Sequence, residues 1–166
     1  HVRGLCLAGL PELGSATDDL SLLRGMQNLV YDMVDEPLAV KKAIQEISKT
    51  WKLVHNKMFE ISKPCNDGGC PIPWMQIWAP GPCYQMSCDF STALSPSLFR
   101  EFIIPELVDY MTVNEYSIYH WDGPDELKHL DALLELNQLK AIQWTPGAGN
   151  VPTSHDRWMP YYKRIQ

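Results

Sequence analysis

The chain has 166 residues, of which 45% are hydrophobic, so it is long enough and apolar enough to form one domain around a buried core. Its 14 basic and 20 acidic residues give a net charge of −6 and a pI of about 5.3. This balance argues against nucleic acid or anionic lipid as the main partner, because both bind basic surfaces. No apolar run approaches the roughly 20 residues that cross a bilayer, so no membrane partner is expected.

The number and spacing of the cysteines indicate the cellular compartment in which the protein works. The number of cysteines is odd in a mid-sized acidic chain, which favours reduced thiols in the cytoplasm over a disulfide framework. The pair Cys65 and Cys70 is separated by four residues without a second pair to complete four ligands, so we interpret it as part of a loop rather than a metal site. The five residues are Cys6, Cys65, Cys70, Cys83 and Cys88.

The first third of the chain predicts one strand and two helices. The apolar run Gly4–Leu10 predicts a buried strand. Thr17 or Asp18 is the expected cap of a helix with an apolar stripe from Leu20 to Met33. A second helix of about six turns begins near Pro37, where proline suits the first turn. Its apolar residues recur at steps of three and four. We interpret this spacing as one face of a helix that packs on the core, and the alternative interpretation is the seam of a coiled coil. They are Val40, Ile44, Ile47, Trp51, Val54, Met58 and Ile61.

Strands and helices alternate in the rest of the chain. The sequence predicts a second strand over 74–79, a long loop over 80–91, and a helix from Ser95 to Tyr110 with a kink at Pro105. A third strand is predicted over 116–119 with a helix after it, then a fourth strand over 139–144, and a last helix near Ser154. The order β-α-α-β-α-β-α-β-α predicts an α/β fold with a parallel sheet in a single domain over 1–166. Four strands correspond to half of an eight-stranded barrel.

Polar residues follow these predicted strands. His120 and Asp122 lie between the third strand and the turn Gly123-Pro124, at the carboxyl end where ligands collect in parallel α/β folds. Gln143 and Trp144 end the fourth strand. The glutamine side chain would point into the opening of the binding site. The tryptophan would either stack against a flat ligand or belong to the core. Glu12 follows the first strand and either faces the mouth or is a solvated loop residue.

Three segments in order resemble the uroporphyrinogen decarboxylase superfamily, which includes cobalamin-dependent methyltransferases. The stretch 94–107, LSPSLFREFIIPEL, resembles a helix of the form SPE.FREFVLPYL. Upstream, Leu23-Arg24-Gly25 and the segment 29–40 resemble LRG…LLD…RPE.V. Downstream, the segment 118–123, IYHWDG, lies where the family has a strand ending in ILHxCG. The resemblance implies a (β/α)8 TIM barrel about twice this length. We therefore expect the chain to be a fragment containing half of the barrel.

In the methyltransferase branch of that family, a His-x-Cys pair and a later cysteine hold zinc, which activates a substrate thiol. Here the pair is His120-Trp121-Asp122, with a carboxylate in place of one sulfur. The resemblance thus implies a zinc site at His120 and Asp122, with a corrinoid as methyl carrier and a corrinoid protein as partner. The family's third ligand would lie outside this chain, and Cys88 or Cys83, on a neighbouring loop, is a candidate for that position, of which we select Cys88. The alternatives are a histidine hydrogen-bonded to a carboxylate in a polar pocket, or a structural histidine.

The loop before the helix at Ser95 adds two candidates. Asp89 is a potential substrate acceptor or general base, or else a loop cap, and Tyr84 is a potential hydrogen-bond donor in the pocket. The expected activity is methyl transfer to or from a small molecule, and the alternatives are a non-catalytic binding protein and a tetrapyrrole decarboxylase. The last of these needs an arginine cluster, for which only Arg3 and Arg24 are candidates here. A half barrel leaves sheet edges unpaired, so we predict that the fragment alone is inactive and that it forms a homodimer.

Overall fold

A computed structural model describes residues 6–166 of the chain. Long helices occupy the first third and shorter ones follow. The helices are α1 (Ala16–Arg24), α2 (Met26–Asp35), α3 (Pro37–Ser62), α4 (Pro96–Leu98), α5 (Ile104–Met111), α6 (Leu130–Leu134) and α7 (Met159–Ile165). No helix among these residues is long and apolar enough to cross a membrane.

The strands form two separate sheets. A short antiparallel hairpin joins β1 (Cys70–Ile72) to β2 (Ile77–Ala79). The main sheet is parallel, and its strands lie in chain order: β3 (Cys83–Met86), β4 (Tyr116–Asp122) and β5 (Leu139–Thr145). Helical segments connect these three strands, as parallel pairing requires. The predicted α/β class with parallel strands is confirmed.

The helices follow their local signals closely. The hydroxyl of Ser15 accepts a hydrogen bond from the backbone N–H of Asp18, 3.0 Å away, so Ser15 caps α1 in place of the predicted Thr17 or Asp18. Gly25 adopts a φ of 87°, which ends α1 and divides the predicted single helix into α1 and α2. The stripe on α3 includes Val40, Ile44 and Trp51, which are buried in the main hydrophobic core, so core packing is confirmed for the first half of the helix. In the second half the predicted stripe is wrong by one position: Val54 and Ile61 are exposed, and the buried residues are His55, Phe59 and Ser62.

The helix predicted from Ser95 is also present. Ser95 caps it by accepting a hydrogen bond from the N–H of Leu98. Between α4 and α5 the backbone widens into a π-helical segment, Phe99–Ile103, directly before Pro105. Proline has no N–H to donate and its ring crowds the preceding turn, so this is where the helix is expected to deform.

Two strand predictions are wrong. The part of the predicted strand 4–10 that the structure describes, Cys6 to Leu10, is not a strand, and Gly4 and Leu5 lie outside the described residues. The predicted second strand is only the short β2, because Pro73 begins a 3₁₀ turn through Met75 and Gln76 has a left-handed φ of 57°. The strand that joins the parallel sheet is β3, which lies in the segment predicted as a loop.

The two faces of the main sheet contact different layers. One face bears Tyr119, Trp121 and Trp144, which belong to the large core shared with the helices. Alternate residues point to the opposite face, where Cys83 and Ile118 pack with Ile72 of the hairpin in a second, smaller core. The hairpin therefore covers this face around Cys83 and Ile118, and the side chains near the carboxyl ends of β4 and β5 lie beyond it.

Candidate functional site

A cleft of about 510 Å³ opens beside the carboxyl ends of β3 and β4. One wall comes from the start of α1, a second from the residues after β3, and a third from the end of β4. Its lining is rich in carboxylates, and among the described residues it contains neither lysine nor arginine. The lining residues are Glu12, Gly14, Asp18, Asp19, Ser21, Leu22, Met26, Ser87, Asp89, Phe90, His120 and Asp122.

His120 is the one imidazole in this described lining, and its ring has a neighbouring side chain on three sides. In the β4–β5 register it lies beside Gln143, and its Nδ1 is hydrogen-bonded to Oε1 of that glutamine. Its Nε2 lies 4.0 Å from Oδ2 of Asp122. The edge of the Trp74 ring meets the imidazole with a centroid separation of 5.1 Å and an interplanar angle of 83°. The ring therefore has a defined orientation, with Nε2 on the side of Asp122.

Asp122 and His120 both belong to β4, which continues through Asp122 instead of ending at Tyr119 as predicted. Because strand residues two apart point to the same face, both side chains reach the cleft. Gly123 follows with a φ of 82°, a conformation that glycine adopts without steric cost, and its N–H donates to the carbonyl of Thr145. The turn thus fixes the end of β4 against the end of β5.

Asp89 and Glu12 line the cleft as well, and Asp89 is positioned by a carboxylate that sequence reasoning did not select for the site. Asp18 accepts hydrogen bonds from the backbone N–H of Asp89 (3.2 Å) and of Phe90 (2.9 Å). Burial raises the pKa of Asp18 above its usual value, and the loop N–H donors and Ser15 oppose that rise. The spacing Ser15-x-x-Asp18 resembles a capping box, and this signal could have identified Asp18.

Three residues predicted for the site are buried below it. Cys88 has 0% exposure, and its Sγ lies 3.8 Å from Oδ1 of Asp18. The hydroxyl of Tyr84 accepts a hydrogen bond from the N–H of Leu13 and does not line the cleft. Trp144 packs against Trp121, with ring centroids 4.7 Å apart, so of its two predicted roles the structure places it in the core.

Gln143 lies next to the cleft without lining it. Its amide nitrogen donates to Oγ1 of Thr145 at 2.9 Å and lies 3.4 Å from the carbonyl of Trp144. Its amide oxygen faces His120. Both polar atoms of the Gln143 amide are therefore hydrogen-bonded to residues of β4 and β5. The sequence predicted that this side chain contacts a substrate, whereas in the structure it contacts His120.

The predicted zinc ligands can be compared with this geometry. In the part of the chain that the structure describes, no three His, Cys, Asp or Glu side chains are grouped so as to hold a metal ion. His120 and Asp122 would supply two ligands, but Cys88 is fully buried beside Asp18 and does not line the cleft that they share. The described residues therefore do not fit the predicted three-ligand zinc site.

Two buried carboxyl groups lie beneath the cleft. Oε1 of Glu106 accepts from the N–H of Ala16 at 2.6 Å, and Oε2 accepts from the hydroxyl of Thr17, at the start of α1. Glu126 lies 3.3 Å from the hydroxyl of Tyr119, which donates to it. Burial raises the pKa of Glu106 to about 7 and that of Glu126 to about 8. Neither carboxyl group lines this cleft, and Glu106 lines a separate pocket between α3 and α5.

The fold and the cleft define an α/β protein with a polar, carboxylate-rich site at the carboxyl ends of parallel strands, the position where such folds bind ligands. Comparisons of the chain with family models, curated proteins and solved structures found no match.

Proposed function

We propose that this chain is part of a (β/α)8 barrel of the uroporphyrinogen decarboxylase type and acts in methyl transfer between a corrinoid and a small molecule. The observation that supports this proposal is the shared cleft of His120, Asp122 and Asp89 at the carboxyl ends of β3 and β4. In barrels of this kind, catalytic residues are found at that end of the strands. The resemblance of the segments 94–107 and 118–123 to the family gives the reaction class.

The chemistry of the proposal uses the residues of the cleft. A thiol substrate must lose a proton before its sulfur becomes a good nucleophile. Nε2 of His120 would take that proton, and the carboxylate of Asp122, 4.0 Å away, would stabilise the imidazolium. The sulfur would then attack the methyl carbon of the methylcorrinoid. A methylcorrinoid would supply the methyl group and retain the electron pair of its cobalt–carbon bond, and the product would be a methyl thioether.

The size and charge of the cleft limit the substrate. The cleft of about 510 Å³ would hold the small methyl acceptor, and the corrinoid would approach from outside. Tetrapyrrole decarboxylation is the weaker candidate, because a polycarboxylate needs arginine partners and the described lining has five carboxylates and no basic residue except His120.

The test is a methyl transfer assay on the full-length protein that contains this chain. The protein is incubated anaerobically with methylcobalamin and a set of small thiols, and the loss of methylcobalamin absorbance and the mass of the methyl thioether are measured. We expect transfer that falls by about 10²-fold or more in His120→Ala. His155→Ala is the matched control, because His155 is an exposed residue outside the cleft lining.

The outcomes separate the alternatives. Transfer that is lost in His120→Ala and retained in His155→Ala supports the proposal. Absence of transfer by the wild-type protein with every thiol contradicts it. If thiols bind without being methylated, the protein is a binding member of the same fold.

A further inference from the structure

We infer that Gln143 is a positioning residue that selects one tautomer of His120, with the proton on Nδ1 and the lone pair of Nε2 directed to the cleft. The catalytic meaning of this inference rests on the proposed function, but the tautomer itself does not. A sequence-based interpretation places Gln143 in the mouth of the site as a substrate ligand, whereas its amide is committed to its neighbours in the sheet.

The orientation of the Gln143 amide follows from its other contacts. The carbonyl of Trp144 can only accept a hydrogen bond, and it lies 3.4 Å from the terminal atom assigned as Nε2. The hydroxyl of Thr145, 2.9 Å from the same atom, completes the pair. Reversing the amide would place its oxygen against the oxygen of a carbonyl group. The amide nitrogen therefore faces Trp144 and Thr145, and the amide oxygen faces His120.

This orientation determines the proton on the imidazole. An amide oxygen is only an acceptor, so Nδ1 of His120 must donate to it. In a neutral imidazole one nitrogen is protonated and the other has a lone pair, so Nε2 is the acceptor. At 4.0 Å the carboxylate of Asp122 is too distant to compete for a direct hydrogen bond. Nε2 is thus left free to accept a proton from a ligand in the cleft.

Two other histidines have the opposite arrangement. Nε2 of His129 contacts the backbone carbonyl of Ser91 at 2.9 Å, which requires a proton on Nε2. Nδ1 of His155 accepts from the N–H of Arg157 at 3.1 Å, which again leaves the proton of the neutral ring on Nε2. The structure therefore assigns His120 a tautomer different from that of both residues. This contrast provides an internal reference within one molecule.

The experiment is long-range ¹H–¹⁵N NMR of the imidazole rings in the ¹⁵N-labelled protein, at about pH 9, well above the ordinary pKa of an imidazole. For His120 we expect a pyrrole-like ¹⁵N shift at Nδ1 and a pyridine-like shift at Nε2. His129 and His155 should show the reverse pattern. A wild-type His120 with its proton on Nε2 overturns the inference without any variant.

Two substitutions test the role of Gln143 itself. Gln143→Met keeps the length of the side chain but removes the acceptor, so the proton should move to Nε2, where Asp122 can approach it. Gln143→Glu keeps an acceptor oxygen and should retain the wild-type tautomer. An unchanged tautomer in a folded Gln143→Met variant overturns the inference. A general loss of structure would also change the signals of His129, so the two causes are distinguishable.

These measurements need no substrate, so their outcome is independent of methyl transfer. If the proposed function is correct as well, Gln143→Met should lower kcat more than it raises KM, and Gln143→Glu should restore part of kcat. If methyl transfer fails and the tautomer is as inferred, only the proposed function is lost.

Discussion

Replacing the carboxyl group of Glu106 by an amide should change how the stability of the protein depends on pH. The carboxyl group is buried with 3% exposure, and burial raises its pKa from 4.5 to about 7. Between these two pH values the native protein binds more protons than the unfolded chain. The free energy of unfolding therefore falls as the pH rises from about 4.5 to 7 and is constant, as far as this group is concerned, above and below that window.

The size of the effect follows from the shift. Each pH unit corresponds to about 1.4 kcal/mol, so the wild-type protein should lose about 3 kcal/mol across the window through this one group. The amide of the Glu106→Gln variant would resemble the protonated carboxyl group, with its oxygen accepting from Ala16 and its nitrogen donating to Thr17. Glu106→Gln should thus equal the wild type at about pH 4.5 and be up to about 3 kcal/mol more stable at about pH 8.

Urea unfolding followed by tryptophan fluorescence at both pH values measures this difference. Glu60→Gln is a matched control, because Glu60 is exposed and its partner is Lys63 on the surface. Other buried groups such as Glu126 titrate in both proteins and cancel in the comparison. A stability difference between Glu106→Gln and the wild type that is the same at both pH values would refute the reasoning.

Two further substitutions test the packing and the helix cap. Ser95→Ala removes the acceptor for the N–H of Leu98 and should lower the free energy of unfolding by about 1 kcal/mol. The control variant Ser97→Ala changes a neighbouring serine beyond the cap position and should have a smaller effect. Equal losses of stability in urea melts of the two variants would contradict the capping role. Trp121→Ala should lower the free energy of unfolding by about 3–5 kcal/mol, because it empties a fully buried site between Trp144 and the helices and leaves the carbonyl of Glu126 without its donor. A decrease below about 1 kcal/mol in urea melts would show that the site is not close-packed.

The helices were predictable because their signals are local. Pro37 marks the start of α3, and the apolar stripe identifies the helix and its buried face as far as Trp51. Beyond Trp51 the buried positions lie one residue further along than the stripe predicts, because a strict seven-residue repeat drifts around a helix of 3.6 residues per turn. The strand β3 was missed for a physical reason. It has only four residues, all buried, and Pro80 and Pro82 directly before it are typical of a loop. Its identity depends on pairing with β4, which follows only after α4 and α5 and leaves no trace in the local pattern.

The site was predictable in its position and less so in its members. The rule that polar groups collect at the carboxyl ends of parallel strands led to His120 and Asp122. Asp89 was selected from its place before the helix at Ser95, and all three residues line one cleft. The roles of Cys88 and Trp144 depend on which way each residue faces. A shift of one position in a strand, or a bend in a loop, moves a side chain from the cleft to the core. Such orientation follows from tertiary packing and not from the spacing of residues.

The carboxylate of Asp18 has a consequence for how the cleft can respond to a ligand. It connects the first turn of α1 with the N–H groups of Asp89 and Phe90, so two walls of the cleft are tied into one unit. A ligand meeting these walls loses little entropy in ordering them, because they are already fixed in the free protein. The side chains of Leu22 and Met26 also line the cleft and are exposed to solvent, so they can change rotamer when a ligand binds. The cleft therefore combines a fixed backbone around Asp18 with exposed apolar side chains that can adjust to a ligand.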